Sequence, residues 1–238
     1  QRRLAECIQR HLVNGSVTKG ARALAAEPLA DASLPAVIKA RRRLHPPALP
    51  PAQLETPVPA VHISADDLTK TLTLLGEHKH CGKCAGPTGW TYEHILAATQ
   101  ASSECFRATL RFVNLVLSGE LPRAGFLLES SLVGTQKPSG GVRPIAIGET
   151  WYRVAMHCAL GALGREVGES LAPLQVGVGT SSGVEAVAHA VATALTTDPE
   201  NVLLSIDTEK AFNTLDRGEM LTAVRQHVPQ MLPVMQWA

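Results

Sequence analysis

From Ser64 onward the chain alternates between amphipathic and wholly apolar runs. Ser64 with Asp67 three residues later has capping-box spacing, Asp replacing the usual Glu, and predicts a helix through about Leu75. Trp90, Tyr92, Ile95 and Leu96 open a second helix. Phe106, Leu110, Val113 and Leu117 recur at close to 3.6 residues and predict a third, which Gly119 ends. Two strand-like runs, 131–137 and 142–147, flank Pro138-Ser139-Gly140-Gly141 and predict a hairpin. Residues 151–167 read as a buried helix with Val154, Cys158, Leu160 and Leu163 inward. Ser182 with Glu185 repeats the capping-box spacing and predicts a helix from Gly183 through Ala186, Val187, Ala190, Val191 and Leu195. Val202-Leu203-Leu204-Ser205-Ile206 has strand length without clean alternation, which predicts a strand buried on both faces.

The first 60 residues differ. Residues 1–44 are Ala/Leu-rich with helical spacing, interrupted at Gly15, Gly20, Pro28 and Pro35. Six prolines between Pro46 and Pro59 make 45–60 a linker or an extended strap. Residues 1–50 hold nine Lys/Arg, ending in Arg41-Arg42-Arg43, against three acids, although the whole chain carries only +1. That asymmetry is compatible with phosphate-backbone contacts, and equally with a solvated basic surface. With 238 residues and 45% hydrophobic content the chain can build a proper core, and no apolar run is long enough to span a membrane. Five cysteines form no even framework, which points to free thiols in a reducing, intracellular compartment. The start at Gln1, without an initiator Met or signal-like segment, is expected of a fragment.

Four stretches carry candidate chemistry. Asp207 ends the apolar run, where a carboxylate at the carboxyl end of a strand is placed to hold magnesium against a substrate's phosphates; capping a turn or helix is the bland alternative. Lys137 and Arg143 flank the hairpin tip and could grip a triphosphate, one as a point charge and one as a fork, or simply solubilise the turn. His78, His80, Cys81 and Cys84 invite a zinc reading, but four ligands crowded into seven residues are hard to wrap tetrahedrally. Gly179-Thr180-Ser181-Ser182-Gly183 fits the nucleophile-elbow pattern, followed by Asp207 and His227 in hydrolase order, yet lacks a firm strand before it.

Taken together, Ala85-Gly86-Pro87-Thr88-Gly89, then Lys137 to Ile147 (Lys-Pro-Ser-Gly-Gly-Val-Arg-Pro-Ile-Ala-Ile), then Gln175-Val176-Gly177, then Asp207-Thr208-Glu209-Lys210-Ala211-Phe212-Asn213 resemble the reverse transcriptases of non-LTR (LINE-type) retrotransposons. The motifs are weak singly, but they stand in the family's order and cover about 85–217. The resemblance implies an α+β fold: a partial right-hand polymerase with helix-rich fingers carrying a hairpin, the first palm strand, and a C-terminal truncation. The expected divisions are a basic extension and Pro-rich linker at 1–60, fingers at 61–200, and the start of the palm at 201–238.

The resemblance also assigns roles. Asp207 would be the first catalytic, metal-binding aspartate, with Ile206 and Thr208 helping to seat magnesium or manganese through the backbone. Phe212 would exclude a 2′-hydroxyl beneath the sugar, though plain core packing is the other reading. Arg143 and Lys137 would hold the incoming dNTP. Gln175 and Gly177 would lie near the template strand, Gln175 being equally suited to hydrogen bonding at a helix end. The partners implied are an RNA template, a DNA primer, dNTPs and the remaining palm and thumb, in a nuclear setting. One departure stands out: no Asp-Asp pair follows Asp207, Asp66-Asp67 lies upstream, and Asp216 is too close to substitute. The expectation is an RNA-directed DNA polymerase whose present residues are inactive alone. A non-catalytic remnant that binds nucleic acid is the alternative, and a serine hydrolase a distant one.

Overall fold

The computed structural model describes residues 2–13, 17, 21, 24, 30–44, 58–77, 83–122, 125–136, 142–177, 180–198, 200–206 and 215–237. Helices dominate: α1 (Arg2–Val13), α2 (Pro35–Leu44), α3 (Ala65–Gly76), α4 (Tyr92–Ala101), α5 (Ser103–Leu117), α6 (Gly125–Leu128), α7 (Thr150–Leu171), α8 (Gly183–Thr197), α9 (Arg217–His227) and α10 (Leu232–Trp237). Among the described residues the only sheet is an antiparallel pair, β1 (Ser130–Gln136) with β2 (Val142–Gly148). The mixed helix and sheet content is that of an α+β chain. The chain forms two compact units, one of residues 1–46, 69–107 and 123–153, the other of 47–68, 108–122 and 154–238.

The first unit is built on the hairpin. Its register runs from Ser130 opposite Gly148 to Gln136 opposite Val142. Helix α2 packs on β2, and the Ala30 N–H donates to the Gly134 carbonyl of β1 at 2.8 Å. Leu72 and Leu75 of α3 and Tyr92 and Ile95 of α4 supply its buried side chains. Helix α4 starts at Tyr92, two residues later than the apolar pattern predicts. Thr91 takes the cap: its hydroxyl accepts from the His94 N–H, and His94 Nδ1 accepts from the Thr91 N–H, both at 3.3 Å.

The second unit buries Val113, Val116 and Leu117 of α5, the Val154–Ala155 and Cys158–Ala159 face of α7, and Leu221, Met231, Leu232 and Val234 near its C-terminus. Residues 61–63 alternate in burial within it, Val61 and Ile63 buried and His62 exposed. The Val61 N–H donates to the Gln230 carbonyl at 3.0 Å. At Ile63 the partner is a side chain: Asn114 of α5 accepts the Ile63 N–H at 2.7 Å and donates to its carbonyl at 3.0 Å. At the head of α3 the expected capping box closes, Ser64 N–H and hydroxyl meeting Asp67 Oδ2 at 3.0 and 2.6 Å while the Asp67 N–H returns to Ser64 Oγ at 3.2 Å. The left-handed Gly119 (φ 71°) follows α5 as predicted.

Three expectations are corrected. Leu160 is 52% exposed, not inward; it lies two residues past buried Cys158, about 200° around the helix. The Ser182–Glu185 box does not form: Ser182 sits in the left-handed region (φ 55°) and caps nothing with its side chain. A box needs an extended N-cap residue. Helix α8 itself forms where expected, with Val184 and Val187 exposed on it. Finally, 202–206 is neither a strand nor buried; Val202, Leu203, Leu204 and Ile206 are each 63–90% exposed. Among the described residues it has no ladder partner, and an apolar run alone specifies none.

Candidate functional site

Among the described residues the densest polar construction lies in the first unit, where the loop ahead of α4 meets the junction of β2 and α7. Gly86-Pro87-Thr88-Gly89 forms a turn closed by the Gly89 N–H on the Gly86 carbonyl at 3.0 Å. Pro87 suits the second position of that turn, and Gly89 supplies the positive φ of 82° at its end. The turn points the Gly86 and Thr88 amides inward, and amides turned inward need acceptors.

Glu149 provides them. The residue is fully buried. Its carboxylate takes the Thr88 hydroxyl at 2.7 Å, the Thr88 N–H at 3.1 Å and the Thr150 N–H at 2.9 Å. Thr150, also fully buried, accepts the Gly86 N–H at 3.3 Å and donates its hydroxyl to the Trp90 carbonyl at 2.5 Å. Arg153, one turn along α7, reaches back with Nη2 to Thr150 Oγ1 and to the Cys84 carbonyl, both at 2.8 Å. Its guanidinium lies 5.1 Å from the centre of the Tyr92 ring, while its Nε is buried without a hydrogen-bond partner among the described residues. Desolvation pushes the Tyr92 phenol above its ordinary value, against the opposing pull of Arg153.

This arrangement has consequences for the glycines. A Cβ on Gly86 would fall 2.5 Å from Glu149 Cα and 2.8 Å from the Gly148 carbonyl oxygen, so only glycine fits. A Cβ on Gly89 would meet nothing. Beside the turn, Trp90 lies edge-on to His94 and tilted over Trp151.

Of the residues expected to carry function, Arg143 projects into solvent from β2, six residues before Glu149. Lys39 and Arg42 are exposed on α2, the helix packed against that strand. Basic groups about a hundred residues apart in sequence therefore belong to one packed helix–strand pair. Gln175 and Gly177 are local partners, the Gln175 amide oxygen accepting the Gly177 N–H. Ile206 is exposed. Lys137, Asp207, Thr208 and Phe212 lie outside the described residues, as do His78, His80 and Cys81. Cys84, Cys105 and Cys158 form no disulfide among the described residues. Among the described residues no three His, Cys, Asp or Glu gather as for a metal ion. Asp216 caps α9, accepting the Glu219 N–H at 3.0 Å.

The nucleophile-elbow pattern finds little here. No strand precedes Ser181 among the described residues, the left-handed residue is Ser182, and His227 Nδ1 pairs with Ser170 Oγ at 2.7 Å. A cavity of about 420 Å³ opens beside Leu72, Gly76, Leu96, Thr99 and Phe106, and no charged side chain lines it, so it offers phosphate no grip. No described helix is long and apolar enough to cross a membrane. Sequence reasoning missed Glu149, Thr150 and Arg153. The signal available was the Gly-Pro-Thr-Gly turn itself, whose amides required an acceptor elsewhere in the chain.

No protein-family model, no curated protein and no solved structure matches the chain.

Proposed function

We propose that these residues belong to an RNA-directed DNA polymerase of the non-LTR retrotransposon type, which extends a DNA primer on an RNA template. The reading rests on the four ordered motifs, and one observation carries it beyond their order. The Gly-Pro-Thr-Gly turn and the strand bearing Arg143 are tied together by Glu149, which follows that strand directly and holds Thr88 through both its N–H and its hydroxyl. Two stretches paired by resemblance alone thus belong to one construction in space.

On this reading Arg143, with Lys137, grips the triphosphate of an incoming dNTP, Phe212 lies beneath its sugar, and Gln175 and Gly177 border the template. Magnesium would assist the displacement of pyrophosphate by the primer 3′-hydroxyl. The donors for it here are the Asp207 carboxylate and the Ile206 and Thr208 carbonyls, too few for a two-metal site that needs several carboxylates. No catalytic step is therefore assigned to these residues alone. Their part is to hold nucleotide and template.

Titration of a fluorescent dNTP tests this. Magnesium-dependent binding should weaken about tenfold or more with Arg143→Ala or Asp207→Ala, charge-assisted contacts to phosphate being of that strength. Binding indifferent to magnesium and to both substitutions would overturn the reading, as would primer extension by these residues alone overturn their assigned inactivity. The exposed Lys39, Arg42 and Arg143 favour one further reading, a non-catalytic binder of nucleic acid. It expects salt-dependent binding of single strands without metal-dependent nucleotide binding.

A further inference from the structure

The loop after Gly89 presents an indole that the fold holds in place without covering. Trp90 keeps 39% of its surface exposed. Its ring centre lies 5.3 Å from that of Trp151 at an interplanar angle of 58°, and 6.1 Å from that of His94 at 83°. The backbone beneath it is anchored, because the Trp90 carbonyl accepts the hydroxyl of the fully buried Thr150. His94 is oriented too. With Nδ1 accepting the Thr91 N–H, the neutral ring carries its proton on Nε2, and no described residue takes that proton.

An exposed ring backed by a second ring, with a donor at its edge, matches what an unpaired base offers: a π-face for stacking and polar edges for hydrogen bonds. A purely apolar partner would use the indole but leave the imidazole N–H unmet. The same unit supplies charge for a polyanion, with Lys39 and Arg42 exposed on α2 and Arg143 on the strand it packs against. We infer that Trp90, backed by Trp151 and edged by His94, stacks an unpaired base of a single-stranded nucleic acid. The inference rests on the nucleic-acid reading above for its class of partner, and adds the place where a base is held.

The test compares a short oligouridine with an abasic phosphodiester of equal length, by fluorescence anisotropy at fixed ionic strength. The unaltered chain should bind the base-bearing strand about fivefold more tightly or better, the scale of one base–aromatic stack. Trp90→Ala should abolish that preference while leaving abasic binding and salt dependence unchanged, and Trp90→Phe should retain most of it. In a chain with Trp151→Phe and Trp237→Phe, oligouridine should quench the remaining indole emission, a readout that keeps Trp90 itself in place. Equal binding of the two strands by the unaltered chain, or unquenched Trp90 emission on binding, overturns the stacking site and leaves the nucleic-acid reading standing. Failure of the unaltered chain to bind either strand overturns both.

Discussion

Glu149 reaches back 61 residues to Thr88 and holds it twice, by the N–H at 3.1 Å and by the hydroxyl at 2.7 Å. A third donor, the Thr150 N–H at 2.9 Å, completes the set around a carboxylate that solvent does not touch. All three neighbours are donors, so the site accepts only an acceptor.

Glu149→Gln keeps the shape but turns an NH₂ group toward at least one of those donors. The expected loss is about 1–3 kcal/mol of stability, the range for leaving a buried hydrogen-bonding group unmet. Urea denaturation measures it. A Glu149→Gln chain as stable as the original would mean that the full carboxylate is dispensable.

The two glycines of the turn separate crowding from backbone preference. Gly86→Ala drives a methyl into the Glu149 backbone and the Gly148 carbonyl, so about 1–3 kcal/mol or more should be lost. Gly89→Ala meets open space, and only the left-handed φ of 82° resists it, at about 1–2 kcal/mol. Thermal denaturation of both should rank Gly86→Ala clearly lower; the reverse order would place the tight contact elsewhere.

Alkaline pH should expose the phenols. Burial pushes Tyr92 above its ordinary value, with Arg153 opposing, and pushes Tyr152 up as well. Folding therefore favours the protonated rings. Their contribution is fully present below pH 10, the unfolded value, and is lost as the pH rises through the higher folded-state values. Stability measured relative to a Tyr92→Phe, Tyr152→Phe chain should be flat below about pH 10 and decline above it. A difference that grows with alkalinity would reverse the sign.

Val202 and Leu204, 90% and 78% exposed, should tolerate charge. Val202→Lys with Leu204→Lys is expected to change unfolding free energy by no more than about 0.5 kcal/mol each, since no core contact is removed. It should also reduce self-association, because an exposed apolar segment of high β-propensity templates aggregation. Size-exclusion chromatography with denaturant titration checks both. A large destabilisation would restore the buried strand that the apolar pattern predicts.

What could be read in the sequence was local. The Ser64–Asp67 box needs only four consecutive residues, and it forms atom for atom. The hairpin and the helix ending before Gly119 likewise follow from turn chemistry and a short apolar period. The Ser182–Glu185 box has the same spacing but fails, because Ser182 is not in the extended conformation a box needs. A Cβ on Gly183 would collide with the Val176 carbonyl, and the chain enters α8 through a left-handed Ser182. Leu160 shows that an apolar residue inside a helix need not share the buried face. Glu149 was illegible for a different reason: one acid after a strand is unremarkable until the donors it serves are brought from 61 residues away. Nothing in a run of apolar letters states which surface will cover it, so 202–206 could not be assigned a neighbour from sequence.

The grip of Asn114 on Ile63 sets the threading of the residues before α3. One carboxamide imitates an adjacent strand, meeting both the N–H and the carbonyl of a single residue, while the Gln230 carbonyl takes only the Val61 N–H. Sliding that stretch by one position would carry an imidazole, His62, inward and turn Ile63 out to water. Frame-keeping that sheets distribute over many rungs is here concentrated in two.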